Sequence, residues 1–281
     1  MANKFGGKWT KDKIETFIKY TKAYLKIMKN RNYYSLIYFD GFAGSGAIMQ
    51  DGNEMDLIMG VAQEILSINE PRIFDIYYFV EKNVKNVSQL KALVENKFAE
   101  KNVKIVQDDC NNRIISMANF LKEPKNKNYR VLAFIDPYGM QVEWKSIESL
   151  KGLGVDIWML VPTGLGVARL LNNDGKIEVA LMQRLKTFLG MTETEIMDYF
   201  YKKVVTQNLF DEMETELVKE TKIATKTAEL YRERLSTIFQ FVSDPLVMKN
   251  SRGSIMYHFL LCSNNKTAIE IANDIVKPRL K

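Results

Sequence analysis

Between residues 10 and 29, apolar positions recur at helical spacing. Ile14, Phe17, Ile18, Thr21, Leu25 and Met28 share one stripe, and the lysines mostly occupy the other face. The spacing predicts an amphipathic helix with Thr10 as its N-cap. From residue 35 the pattern changes to short, mostly apolar runs at 35–39, 73–80, 103–106, 131–135 and 155–161. Runs of that length fit strands buried on both faces. Helical patterns lie between them at 54–68, 84–98, 112–121 and 144–150, with Val87, Leu90, Leu93, Val94 and Phe98 facing inward in the second. Strand alternating with helix predicts an α/β fold, its parallel sheet covered on both faces by right-handed crossovers.

Residues 163–240 differ in character. Three helical patterns, at 176–189, 193–205 and 225–239, follow one another, and Thr192 with Glu195 forms a capping box for the middle one. This predicts a helical insertion. Strand patterns return at 241–248 and 255–262, joined through 249–253, as a hairpin adding an antiparallel edge to the sheet. The expected organisation is a basic helix at 1–32 packed on the core, a sheet domain from 33–162 and 241–281, and the insertion at 163–240.

Composition narrows the class. Of 281 residues, 46% are hydrophobic and 26% charged, a globular mix able to bury a large core. Two cysteines, Cys110 and Cys262, and the lone His258 exclude zinc-finger and iron–sulfur sites within the chain, and no metal site is expected. No apolar run reaches the roughly 18 residues of a membrane span, and no apolar segment marks a signal peptide, so a cytoplasmic protein is expected. The net charge of +6 is unevenly placed: residues 1–32 hold nine Lys or Arg against Asp12 and Glu15, a surplus of +7 (9 − 2). A basic arm on a near-neutral body suggests a polyanionic partner; a solvated helix face is the plainer reading.

Four predicted strands end in acids: Asp40, Glu81, Asp109 (or Asp108) and Asp136. Ligands of open α/β sheets bind beyond the carboxyl ends of the strands, so four such acids point at one crevice. The first strand runs into Phe39, Asp40, Gly41, Phe42, Ala43, Gly44, Ser45 and Gly46. A glycine-rich turn lets backbone amides approach a ligand closely. Ala47 and Ile48 stand where a P-loop needs Lys and Ser or Thr, which excludes that motif. Met49 stands where a dinucleotide fingerprint needs a small third residue, and Glu81 lies further on than its roughly 20-residue spacing. S-adenosylmethionine has no pyrophosphate and needs neither feature. In that reading Asp40 balances its ammonium, the amides of Gly44 to Gly46 approach it, and Glu81 accepts from ribose hydroxyls.

Asp109, with Asp108 as the adjacent candidate, would accept from the adenine amino group; the N-cap of the following helix is the competing role. Cys110 is expected to be an inert small side chain beside the pocket. Asp136, Pro137 and Tyr138 are the catalytic candidates. An amino group on a nucleobase is a poor nucleophile because its lone pair is delocalised into the ring. The Asp136 carboxylate and the Pro137 carbonyl could accept its two N–H protons and hold the nitrogen in line with a sulfonium methyl. Tyr138 could stack on an extruded base. An ordinary strand-to-turn Asp-Pro is the alternative. Lys8, Lys11, Lys13 and Arg169 are candidate phosphate contacts, with Arg184, Arg232 and Arg234 as further basic positions on the insert. Trp9, Trp144 and Trp158 read as core, although Trp9 could cover the adenosine.

The glycine turn resembles that of nucleic-acid amino-methyltransferases, and Asp136, Pro137 and Tyr138 resemble their Asp/Asn-Pro-Pro-Tyr/Phe motif shortened by one proline. The form Asp-Pro-aromatic-Gly is also similar to that of tRNA guanine dimethyltransferases. Over nearly its full length the chain resembles the three-Cys-motif partner protein family. The matching pieces are Lys8 and Trp9; Tyr38 with Asp40 to Gly46; Glu81; Asp109 and Asn111; Phe134 to Gly139; Arg252 and Gly253; and Tyr257 to Ser263. Members often carry Gly-Ser-Pro shortly after the glycine turn, where this chain has Met55, Asp56 and Leu57. The resemblance implies a Rossmann-like class I methyltransferase fold, S-adenosylmethionine as cofactor, and a partner carrying the three-cysteine motif. Together these readings lead to an S-adenosylmethionine-dependent N-methyltransferase acting on an exocyclic amino group of DNA or RNA. A non-catalytic cofactor-binding subunit and a small-molecule methyltransferase are the rivals.

Overall fold

The structure is a computed structural model, and it describes residues 8–48, 58–207 and 213–279. Helix α1 (Lys8–Met28) opens it, starting two residues before the expected N-cap, so Thr10 lies inside the helix and is buried. The first half of the sheet is β1 (Ser35–Asp40), β4 (Ile76–Glu81) and β5 (Val103–Gln107), separated by a small ribbon of β2 (Ala47–Ile48) and β3 (Ile58–Met59), by α2 (Val61–Leu66) and by α3 (Val84–Lys97). The second half follows α4 (Cys110–Lys122) and consists of β6 (Tyr129–Ile135) and β7 (Val155–Val161) around α5 (Trp144–Glu148). A π-helical turn (Thr163–Ala168) leads into α6 (Val179–Leu189), α7 (Glu193–Phe200), β8 (Tyr201–Gln207), β9 (Met213–Lys219) and α8 (Ile223–Leu235). The chain closes with β10 (Phe241–Val242), β11 (Leu246–Lys249), β12 (Ile255–Ser263) and α9 (Lys266–Val276).

The main sheet runs β5-β4-β1-β6-β7-β12, with β10 and β11 both paired to β12. Every pair among β5, β4, β1, β6 and β7 is parallel, and β12 is antiparallel to β7. The chain winds outward from β1 to β5, returns, and winds the other way from β6. The switch point therefore lies between β1 and β6. This is the Rossmann-like, mostly parallel α/β sheet expected, except that β12 sits inside the sheet rather than on its edge.

Continuous apolar strands serve both faces at once. Leu36 and Tyr38 pack with α1, α2, α3 and α9; Ile37 and Phe39 join the core covered by α4 to α8. Alternation at period two sends neighbours to opposite faces. Met182, Leu185, Phe188, Phe200, Tyr231 and Leu235 of the insert belong to that second core, so the insert is packed onto the sheet.

Three expectations are corrected. The helix expected at 193–205 stops at Phe200, because Val204, Val205 and Thr206 pair in an antiparallel hairpin with 213–219; Val204 and Val205 are exposed, so they were never part of a buried helical stripe. The insert is thus helical with a β-ribbon. The described part of the stretch expected as helix 54–68 is β3, Gly60 and the short α2; residues 49–57 lie outside the described residues. Helix α9 was not expected, although Asn265 caps it and Ala268, Ile269, Ala272 and Val276 form its buried stripe. Among the described residues no helix is long and apolar enough to cross a membrane.

His258 is buried on β12, and its Nδ1 lies 2.7 Å from Thr163 Oγ1. Burial pushes its pKa down from 6.5 to about 4. Between those values the unfolded chain binds a proton that the folded chain does not. Stability is therefore fully present above pH 6.5 and is lost as pH falls towards 4. Going from pH 7 to pH 5, this one group is expected to cost about 2 kcal/mol. Urea unfolding of the protein and of His258→Leu at both pH values checks this: the variant should lose about that much less.

Candidate functional site

Strand register brings the tips together. Asp40, the last residue of β1, is opposite Phe79 of β4 and Phe134 of β6, so Glu81 and Asp136 follow two residues later on either side. Glu81 is opposite Gln107, which places Asp108 and Asp109 next in line. The Gly41 amide donates to Phe134 O at 3.0 Å and the Ala43 amide to Val80 O at 3.0 Å, so the glycine turn stays against both neighbours. A Cβ at Gly41 would lie 2.5 Å from Cys110 Sγ and 2.7 Å from Ile135 Cδ1, which explains glycine there. Gly46 has φ +81°, and a Cβ there would lie 2.7 Å from Leu93 Cδ2 and 2.9 Å from Leu90 Cδ1, so this position of the turn also favours glycine.

Two adjoining cavities open at these tips. The larger, about 640 Å³, is lined by Glu81, Asp109, Cys110, Asp136, Pro137 and Tyr138 among others. The smaller, about 230 Å³, includes Asp40 and the turn from Phe42 to Gly46. Lys13, Phe42, Gly44, Asn86, Asp136 and Tyr138 line both. The cofactor candidates from Asp40 to Gly46, with Glu81, Asp108, Asp109, Cys110 and the three catalytic candidates, thus meet around one crevice at the switch point.

Each acid has its own surroundings. Asp40 is buried and accepts from the Phe42 amide at 3.0 Å and the Tyr38 hydroxyl at 3.1 Å. Burial outweighs those two bonds and pushes its pKa up to about 7, with Asp136 and Glu81 adding repulsion. Glu81 accepts from the Gly44 amide at 2.9 Å and the Asn83 amide at 2.7 Å. The Gly44 amide therefore points at Glu81, a correction to the expectation that it approaches a ligand. Asp108 accepts from the Asn112 side-chain amide and the Asp109 backbone amide and is ion-paired with Arg113, which together hold its pKa below the usual range. Asp109 caps α4 through the Asn111 amide at 2.9 Å and meets Lys82 Nζ at 3.2 Å, so the capping role is the one its bonds serve. Cys110 is buried, and desolvation pushes its thiol pKa well up, which makes it a poor nucleophile.

Asp136 carries the least expected contact: its Oδ2 is ion-paired with Lys13 Nζ. The Lys13 side chain is only 6% exposed, and its ammonium lies 5.4 Å from the Trp9 ring centroid. This corrects the expectation that Lys13 holds a phosphate backbone, because its charge faces into the crevice. Trp9 packs on Tyr257 with centroids 5.6 Å apart, and the Tyr257 hydroxyl donates to Tyr138 O at 3.3 Å. Tyr138 itself is 73% exposed at the crevice mouth.

The remaining basic candidates separate. Lys8 opens α1; Lys11 is exposed, with Glu15 one turn on at 4.0 Å. Arg169 is exposed and does not line the crevice, whereas Arg184 does. Arg232 pairs with Asp244, and Arg234 stacks on Trp144 at 4.5 Å, both binding the insert to its surroundings. No sequence signal marks Lys82, Asn83 and Gln141 as crevice-lining residues, and Tyr257 stands there only within a motif. Asn111 was noted only as part of a motif. Its amide joins Asp109 to the Gln141 carbonyl at 2.9 Å and accepts from the Glu143 amide at 2.8 Å, linking the loops after β5 and β6.

No family model matches the sequence, and no curated protein matches it. Among solved structures the chain is similar to protein LPL1258 of Legionella pneumophila, with 14% identity, 91% of this chain and 97% of that chain covered, and a TM-score of 0.43. It is similar to Trm1 from Pyrococcus horikoshii in complex with S-adenosyl-L-methionine, with 9% identity, coverage of 97% and 72%, and a TM-score of 0.39. It is also similar to an S-adenosylmethionine-dependent methyltransferase from Clostridium acetobutylicum, with 7% identity, coverage of 88% and 92%, and a TM-score of 0.37.

Proposed function

We propose that this protein is an S-adenosylmethionine-dependent N-methyltransferase acting on an exocyclic amino group of a nucleic-acid base. The observation that carries this reading is the seat at Asp136, at the switch point, where a carboxylate already holds a nitrogen bearing N–H donors. The crevice also suits the cofactor. Asp40 is a buried carboxylate with no cationic side chain paired to it among the described residues, and an α-ammonium would supply that charge. Glu81 keeps lone pairs for ribose hydroxyls beyond its two amide bonds. Of the adenine acceptors, Asp109 fits better than Asp108, whose carboxylate is taken up by Arg113 and Asn112.

When bound, the cofactor supplies an electrophilic methyl group on a sulfonium. Asp136 and the Pro137 carbonyl would accept the two N–H bonds of the incoming amine and localise its lone pair for attack. Binding then exchanges one N–H donor for another at Asp136, as Lys13 gives way to the substrate. The amine loses a proton as it gains the methyl group, and Asp136 is the first acceptor in reach. Tyr138 offers its ring at the mouth to an unstacked base. The exposed Lys11, Lys19, Lys22 and Lys26 of α1 would meet phosphates outside the crevice. A partner with a three-cysteine motif, implied by the family resemblance, would complete the assembly. A second reading, a cofactor-binding subunit without catalysis, is favoured by one observation: Lys13 fills the seat.

Asp136→Ala decides between them. The variant should bind S-adenosylmethionine within about 3-fold of the parent by calorimetry and lose at least about 100-fold in methyl transfer. Transfer is read as the mass gain of one methyl group on a nucleoside, with and without a three-cysteine partner; no gain in either sample from the parent protein would sink the catalytic reading.

Asp40 predicts a pH profile. Its raised pKa of about 7 means that a cationic ligand must displace a proton at lower pH. Cofactor affinity should therefore rise with pH, by up to ~10-fold per unit below pH 7, and level off above it. Asp40→Asn should bind more weakly at pH 7.5 and flatten the profile; calorimetric titrations from pH 5.5 to 8 measure both.

A further inference from the structure

At the opposite end of the sheet, beneath the amino ends of β6 and β7, lies a larger cavity of about 770 Å³. That volume falls in the range of small-molecule sites, roughly 300–1,000 Å³. None of the residues placed in the candidate active site lines it. Its charge is opposite in character to the crevice. Arg31, Lys122, Lys127 and Arg130 stand around it, with Asp156 the one acid in the wall.

Two of the cations are tied to the fold, Arg130 through its side chain and Arg31 through its backbone. Arg130 stacks on Tyr34 with its guanidinium carbon 3.9 Å from the ring centroid, and its Nη1 donates to the carbonyls of Lys127 and Tyr129 at 2.9 and 2.7 Å. Among the described residues no acceptor meets its Nη2. Arg72 clamps the loop that carries Arg31, donating to the carbonyls of Met28, Arg31 and Tyr34. Deeper in, the wall is aromatic and contains an unsatisfied group. Tyr20 and Tyr24 stack at 6.4 Å, and the Tyr24 hydroxyl is buried without a hydrogen-bond partner. Such a group is destabilising unless something pairs with it. Asp156 accepts from Ser263 at 2.5 Å and from Tyr20 at only 3.4 Å, so it retains capacity for another donor.

We infer that this cavity binds a nucleotide, with its phosphate on Arg31, Lys127 and Arg130 and its base against Tyr24, offering N–H donors to Asp156. A bare phosphate would use the cations and leave the aromatic floor and the acid without a role. A neutral nucleoside would leave the four cations without one. The same chemistry could come from a free mononucleotide or from a nucleotide at the end of a nucleic-acid strand.

The test is calorimetry on the full chain with GMP, AMP, CMP and UMP, with inorganic phosphate, and with a 5′-phosphorylated single-stranded oligonucleotide. At least one mononucleotide should bind at least 10-fold more tightly than inorganic phosphate. The doubly reversed Arg31→Glu, Lys127→Glu variant should lose at least 10-fold of that affinity, and Asp136→Ala should lose none. Arg31 and Lys127 are exposed, and an unchanged melting temperature verifies that their variant is folded. Tyr24→Phe, which removes an unpaired hydroxyl, should melt no lower than the parent yet bind the mononucleotide more weakly. An oligonucleotide that binds more tightly than the mononucleotides and is equally sensitive to the double variant identifies a strand end as the source; weaker binding identifies the free nucleotide. The inference is overturned if neither nucleotides nor the oligonucleotide bind, or if the double variant binds them as the parent does.

Discussion

The parallel pairing of β1 with β6 is the constraint on which the crevice depends. Two chain segments far apart in sequence lie side by side there, and the helices that follow them leave on opposite faces. The turn after β1 must cross over Cys110 and Ile135 with almost no clearance, and Gly41 permits this because it carries no side chain. From that crossing follow the positions of Asp40, Glu81 and Asp136. A bulkier residue at 41 would move the first loop, and with it the backbone that bonds to β4 and β6.

Bringing so many carboxylates to one end of a sheet carries an electrostatic penalty, and the fold meets it piecemeal. Glu81 is held by two backbone amides, Asp108 by Arg113, Asp109 by the start of α4 and Lys82, and Asp136 by Lys13. Asp40 is left with an amide and a hydroxyl, both neutral donors. Burial, with a smaller repulsion from Asp136 and Glu81, raises the pKa of that one group to about 7. Among the described residues no cationic side chain is paired with Asp40.

The strands were legible because residues 35–39, 131–135 and 155–161 are mostly apolar runs, and the acids after the first two, Asp40 and Asp136, carried over directly into the crevice. What the acids do was less legible. An Asp two residues before Asn111 reads equally as a cap or as a ligand acceptor, and only the bonds distinguish these roles. Lys13 was misread because charge was counted before face: on a helical wheel it belongs with Phe17, Tyr20 and Tyr24, all buried. The hairpin at 201–219 was hidden because Tyr201, Val204 and Val205 mimic helical spacing until a partner strand is known. The cavity beneath β6 and β7 had no sequence signature, since its wall comes from segments brought together only by the sheet.

The placement of β12 also bears on how the protein is made. Its residues 255–263 fill the space between β7 and the two short strands β10 and β11, so the right-hand half of the sheet closes last. While the ribosome is still translating the insert, β7 presents an uncovered edge of Ile157, Trp158, Met159 and Leu160. Such an edge invites pairing with another nascent chain. Vectorial synthesis thus leaves this apolar edge open until residues 255–263 have been made.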